Sequence, residues 1–181
     1  RSVDNVLYQI NNIGTSVNGT LNTSAGNFIA NFTSTTSLST SGGQAHLAAE
    51  SGGTYTDLTF RLLNDATFTK LQLNPDAIAG PDGLITFTVS YIMPAGVIND
   101  ATFTLNANGN NFFTVLANQG ALMTSVRWDS TIGVTDANQY RVGGAAGPTE
   151  QRVPDGGTTI ALLGVSLLGL GSARKLMGKK A

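Results

Sequence analysis

Tyr55-Thr56-Asp57-Leu58-Thr59-Phe60-Arg61-Leu62 places Leu58, Phe60 and Leu62 on one side of an extended chain and Thr59 and Arg61 on the other. A period of two marks a strand with one face in a core and one in water. The alternation recurs down the chain: Thr69-Leu71-Leu73 opposes Lys70 and Gln72, Phe87-Val89-Tyr91-Met93 opposes Thr86-Thr88-Ser90, and Phe103-Leu105 opposes Thr102-Thr104. Leu122-Thr124-Val126-Trp128 opposes Ser125-Arg127-Asp129 in the same way. Phe112-Phe113-Thr114-Val115-Leu116 is apolar on both sides and reads as an interior strand, and Asn138 to Val142 as a final short one. Asn74-Pro75-Asp76, Gly80-Pro81-Asp82-Gly83, Pro94-Ala95-Gly96, Asn108-Gly109-Asn110 and Asn118-Gln119-Gly120 are turn compositions between them. Turns about every eight to twelve residues predict an all-β, antiparallel β-sandwich, jelly-roll-like, over residues 1–142.

Ahead of Tyr55 the signal is weaker. Val6 to Ile10 and Asn27 to Phe32 are short apolar groups on either side of the Asn18-Gly19 turn, which fits two or three strands with a hairpin. Ser34 to Gly43 is almost wholly Ser, Thr and Gly and reads as an exposed loop or a weak edge strand. Asn18, Asn22 and Asn31 stand in sequons, incidental to a composition this rich in Asn and Thr.

Only 12% of the 181 residues are charged, against 23 Thr and 22 Gly, with no Cys. Hydroxyls and amides therefore make the wet surface, and sheets can approach without strong charge repulsion. A disulfide scaffold and a thiol nucleophile are excluded. Residues 1–152 hold six Lys/Arg against ten Asp/Glu, a net −4, and residues 153–181 hold four against one, a net +3. A mildly acidic body lacks the clustered cations that nucleic acid requires, so no nucleic-acid partner is expected. The start at Arg1 rather than Met fits removal of a secretory leader.

Gly143 to Arg152, containing Gly143-Gly144-Ala145-Ala146-Gly147-Pro148, reads as a linker, and residues 153–181 as a tail in three parts. Val153, Pro154, Asp155, Gly156 and Gly157 come first. Thr158 to Ala173 follows with no charge, and Ile160, Leu162, Leu163, Val165, Leu167, Leu168 and Leu170 spread around the whole wheel of a membrane or packing helix. Sixteen residues make about 24 Å of helix, a little short of a bilayer core. Arg174, Lys175, Lys179 and Lys180 form the basic end, placed where a cytoplasmic stop belongs. The tail resembles the C-terminal sorting signal of PEP-CTERM proteins, in which a Pro-containing motif, a hydrophobic helix and a basic cluster are recognised by a membrane-embedded exosortase. Its Val153 to Gly157 stands nearer the Val-Pro-Asp-Ser-Gly variant than the usual Val-Pro-Glu-Pro. Asn111 to Val142 also looks like the closing strands of many ectodomains of that group. The resemblance implies a secreted protein of a Gram-negative bacterium with an exopolysaccharide-rich envelope, and no chemistry.

Candidate chemistry is sparse. His46 is the sole histidine, so any triad or histidine metal site must be built on it. Glu50 and Glu150 are the only Glu, which leaves no obvious acid pair for hydrolysis. Asp76, Asp82, Asn99 and Asp100 offer oxygens in predicted loops, although Asp in turns usually caps backbone. Trp128, Tyr55, Tyr91 and Tyr140 form either a sugar-stacking platform or, the better reading for the inward Trp128 and Tyr91, core. Lys70, the one Lys of the body, could form an isopeptide bond with an Asn. The expectation is a non-enzymatic surface or extracellular-matrix protein without catalytic residues, metal or cofactor. Two roles follow. In the first it self-assembles into a homopolymer or filament, the tail of one subunit packing on the next through Gly164, Gly169, Gly171 and Ala173. In the second it is a membrane-anchored polysaccharide-binding protein, with exosortase as a partner during export and exopolysaccharide as ligand.

Overall fold

The computed structural model describes residues 2–43, 46–78 and 83–148. The motif Val153 to Gly157, the apolar stretch from Thr158 to Ala173 and the basic end lie outside them, as do Asp82 and Glu150. The described residues form β1 (Asp4–Tyr8), β2 (Ile13–Thr23), β3 (Gly26–Ser41), β4 (His46–Ala49), β5 (Tyr55–Leu62), β6 (Lys70–Ala77), β7 (Leu84–Ile92), β8 (Ile98–Asn106), β9 (Phe113–Leu116) and β10 (Leu122–Gly143). Every ladder is antiparallel.

The pairing divides along β10. Leu122 to Ser130 lies between β7 and β5, whereas Val134 to Gly143 lies beside β6 and meets β4 at Asp136 and β1 at Arg141 and Val142. β3 divides likewise, Ala30 to Thr33 pairing with β5 and Leu38 to Ser41 with β4. One layer is therefore ordered β8-β7-β10-β5-β3-β2-β1 and the other β9-β6-β10-β4-β3-β2, with β2, β3 and β10 passing between them and Asp4 and Asn5 of β1 pairing with the far half of β10. The layers face each other across aromatic contacts. Phe60 of β5 stacks on Tyr140 of the far half of β10 at 5.7 Å, and Phe87 of β7 meets Phe113 of β9 edge-on at 5.1 Å. Trp128 Nε1 donates to Tyr140 Oη at 3.1 Å, which ties the two halves of β10 together through the core.

Several sequence expectations need correction. Of the two readings of Ser34 to Gly43 the strand holds and the loop does not, but it is no edge: most of it is the second half of β3, paired with β2 and β4, and Ser34 and Thr40 are buried there with Asp57 and the Gln9 carbonyl accepting from their hydroxyls. Asn74-Pro75-Asp76 is no turn but the end of β6, paired with β10. β9 accompanies β6 only as far as Leu73, so the missing N–H of Pro75 breaks no ladder on that side. The stretch from Phe112 to Leu116 is an edge rather than an interior strand, with Phe112 and Leu116 exposed and only Val115 buried. Asn138 to Val142 is the end of β10, not a separate strand. The alternation in β10 also changes phase. Its register against β7 shifts between Met123 and Ser125, a bulge that puts Met123 in the core and leaves Leu122 half-exposed. Beyond Val142 the body continues, since Thr67 and Ala146 exchange two backbone hydrogen bonds of 2.9 Å.

Candidate functional site

The face of the first layer turned away from the core is polar across six strands. Thr102, Thr88, Arg127, Thr59, Thr33 and Ser16 stand in one register row across β8, β7, β10, β5, β3 and β2. The adjacent row is Asp100, Ser90, Ser125, Arg61, Asn31 and Asn18. Side chains within the rows hold one another: Ser90 Oγ donates to Asp100 at 2.6 Å, Arg61 Nε to Asn31 Oδ1 at 3.2 Å, and Asn31 Nδ2 to Asn18 Oδ1 at 2.8 Å and Ser16 Oγ at 3.0 Å. Asn31 is buried and held by these bonds, so it fixes Arg61 through Nε, while the terminal guanidinium nitrogens meet no partner among the described residues.

A groove of about 700 Å³ lies over the second row. Its floor is Arg61, Ser90, Thr124 and Ser125, and Ile92 and Ile98 line it at the β7–β8 end. The bulge in β10 is what turns both Thr124 and Ser125 toward it, since strict alternation would hide one of the two. The turn Leu63-Asn64-Asp65-Ala66 makes another wall. Asn64 and Asp65 both have positive φ, 58° and 54°, the pattern of a type I′ turn, which Asn and Asp tolerate best among residues with a Cβ. The Leu63 N–H anchors the turn on the Ile29 carbonyl at 2.9 Å. One cation, one anion, hydroxyls, an amide and the apolar side chains of Leu62, Leu63, Ile92 and Ile98 thus converge in the groove.

Elsewhere on this face Arg127 forms a two-point ion pair with Asp129, at 2.8 and 2.5 Å. The hydrogen bonds of Arg127 hold the Asp129 carboxyl below its usual range, and the same bonds push Arg127 up. Both side chains are about half exposed, and such pairs contribute only about 0.2–1 kcal/mol. Because the folded carboxyl is the stronger acid, that contribution is present above the ordinary Asp range and is lost as pH falls through the lowered value.

The structure disperses the other candidates. Trp128, Tyr55 and Tyr140 are fully buried, so they form core and not a platform. Tyr91 lines a separate, largely apolar cavity. Burial raises the ionisation of Tyr8, Tyr55 and Tyr140 above the ordinary phenol value of 10.0. His46 is exposed and its Nδ1 meets Asp136, whose other oxygen accepts from the Leu47 N–H at 3.1 Å; among the described residues no hydroxyl joins the pair. Glu50 accepts from Ser37 Oγ at 2.6 Å. Asp76 is a strand residue, Asn99 donates to the Val97 carbonyl, and no group of three His, Cys, Asp or Glu able to hold a metal occurs among the described residues. Lys70 pairs along β6 with Leu116 and Gly143.

The groove is not legible as a site in the sequence. Asn64-Asp65 directly after a strand was the available signal, as a I′-type pair, and the adjacent Thr124-Ser125 was hidden by an alternation extended through the bulge.

Among solved structures, the chain is similar to a family 11 carbohydrate-binding module from Clostridium thermocellum in complex with a β-1,3-1,4-mixed-linked tetrasaccharide, at TM-score 0.34 and 10% identity over 82% of this chain and 100% of that one. It is also similar to a family 22 carbohydrate-binding module of Clostridium thermocellum, at TM-score 0.31 and 10% identity over 79% and 91%. Likeness at this level assigns neither ligand nor site. No curated protein matches the sequence. Within the tail, residues 152–177 match the VPDSG-CTERM motif model. The chain carries a VPDSG-CTERM motif, a sorting signal of the PEP-CTERM kind that implies secretion and display at the cell surface.

Proposed function

We propose that this chain is a non-catalytic, surface-displayed protein whose β-sandwich body binds a neutral polysaccharide in the groove between Arg61, Asp65, Ser90 and Ser125. The observation that carries this reading is the groove's chemistry. Arg61 and Asp65 cancel in charge, and the remaining polar groups, Asn64, Ser90, Thr124 and Ser125, are neutral. Sugar hydroxyls both donate and accept, so they pair with a fixed guanidinium, a carboxylate and hydroxyls alike. Ile92 and Ile98 offer apolar surface to the C–H side of a sugar ring. About 700 Å³ falls inside the range of ligand sites, and a groove on a sheet face suits a chain better than a closed pocket would. An anionic polymer would meet Asp65 and a body of net −4 over residues 1–152. The sorting motif supports the setting, since it directs the protein to where such polymers lie.

Affinity electrophoresis of the full chain in non-ionic detergent tests this, with gels containing a neutral β-glucan, a neutral mannan or anionic alginate. Retardation by a neutral polymer is expected, with Arg61→Ala and Asp65→Gly each weakening it about tenfold or more and no release of reducing ends. Asp65→Gly keeps the positive φ, so its loss would reflect the carboxylate. Absence of retardation in every gel, retardation unchanged in both variants, or accumulating reducing ends would each refute the reading.

Self-association is a second reading, favoured by one observation: the outer edge of β8 has no partner among the described residues. The tail-jointed filament rests on residues 153–181, which lie outside the described residues.

A further inference from the structure

β8 pairs with β7 through all nine of its residues and with no other described strand. Apart from Asn99, every residue of it is exposed. Ala101, Phe103 and Leu105 lie opposite Val89, Phe87 and Ile85, which are buried one strand further in. Phe103 stacks on Phe87 at 5.2 Å, yet 37% of it remains exposed, and Leu105 is 41% exposed. A cavity of about 270 Å³ opens beneath, between Tyr91 and Phe103 on one wall and Val115 and Leu116 on the other. The core therefore runs under β7 and stops unfinished at β8. Edges of this length are ordinarily protected by Lys, Pro, a bulge or a covering element. Ile98 to Asn106 contains neither Lys nor Pro, its nine pairs with β7 are in continuous register, and Asp100 is its only charge.

We infer that a second copy of this chain covers the edge, by antiparallel β8–β8 pairing across a two-fold axis at Thr102. This builds on the self-association reading and is independent of the carbohydrate one. The register follows from the sequence. Thr102 is the midpoint of β8, so an axis there is the one that uses all nine residues. It sets Ala101 beside Phe103 of the second copy, a small residue against a large one, and Asp100 beside a Thr104 hydroxyl able to donate to it. An axis at Asp100 would instead oppose two carboxylates. Opposed residues of an antiparallel pair point to the same side, so the apolar side of β8 continues into the second copy and so does the Thr row. The contact is isologous and closes as a dimer; it does not propagate into a fibre.

Sedimentation velocity on the full chain in non-ionic detergent, from low to high micromolar concentration, tests it. A dimer is expected for the wild type. Thr102→Lys and Thr102→Asp each place like charges across the axis and should raise the dissociation constant about tenfold or more, with unchanged circular dichroism because Thr102 is exposed. Mixed in equal amounts, the two variants should recover the dimer, since opposite charges then meet. A monomeric wild type, a dimer that persists in both variants, or a mixture that stays monomeric would overturn the inference.

Discussion

Arg61 is exposed but not free: buried Asn31 accepts from its Nε, and Asn18 and Ser16 in turn hold Asn31. The side chain enters the groove with much of its rotamer entropy already spent, so binding need not order it. Arg61→Lys keeps the charge but loses the planar fork, and should weaken polysaccharide binding nearly as much as Arg61→Ala; full retention by the Lys variant would show that charge alone matters. The buried tyrosines make a different prediction. Tyr8, Tyr55 and Tyr140 hold their protons more tightly in the fold than the ordinary value of 10.0. Their stabilising contribution is complete below pH 10 and falls as pH rises above it, by about 1.4 kcal/mol per pH unit for each. Phenolate absorbance from these three should therefore appear together with loss of near-ultraviolet circular dichroism, and their reversible ionisation in a folded chain would contradict the burial. At this scale the sequence was readable where a side chain is large and apolar: Trp128 was assigned inward and is in the core. It was unreadable where backbone conformation decides, as at Asn64 and Asp65, whose two positive φ angles create the groove wall.

The bulge in β10 links packing to the site. By resetting the phase it buries Met123 and presents Thr124 and Ser125 together to the groove. Met123→Ala should cost about 2–5 kcal/mol in unfolding free energy, as buried truncations do, while Leu122→Ala should cost less than about 1. Denaturant unfolding of the two variants checks this, and the reverse order would place the bulge elsewhere. Alternation located nearly every strand after Tyr55 because most are half-buried, but it could not show that β3 and β10 cross between layers. Crossing depends on local register shifts, between Asp129 and Val134 for instance, and these change pairing without changing composition. The edge position of β9 was hidden for a related reason. Phe112 and Leu116 are apolar yet exposed, and burial was assumed from their character.

At the scale of the whole chain, low charge and abundant Thr pointed to an all-β body with a hydroxyl-rich surface, and the body is all-β and antiparallel among the described residues. The tail was legible as a motif because its order of Pro, apolar run and basic end is contiguous in sequence, whereas a groove assembled from β5, β7, β8, β10 and a turn is not. The expectation that the apolar run inserts in the membrane during export is tested by Leu163→Asp combined with Leu167→Asp, which should keep the protein out of the membrane fraction, an acidic residue at the centre of an inserted segment costing about 2.5–3.5 kcal/mol; unchanged fractionation would contradict that expectation. Polysaccharide binding is tested most directly by hydrogen–deuterium exchange on the full chain with and without the neutral polymer that retards it. Slowed exchange is predicted in residues 61–66, 90–92 and 124–125, with the second layer unchanged. Protection confined to β6, β9 or the far half of β10, or protection nowhere, would contradict the assignment of the groove.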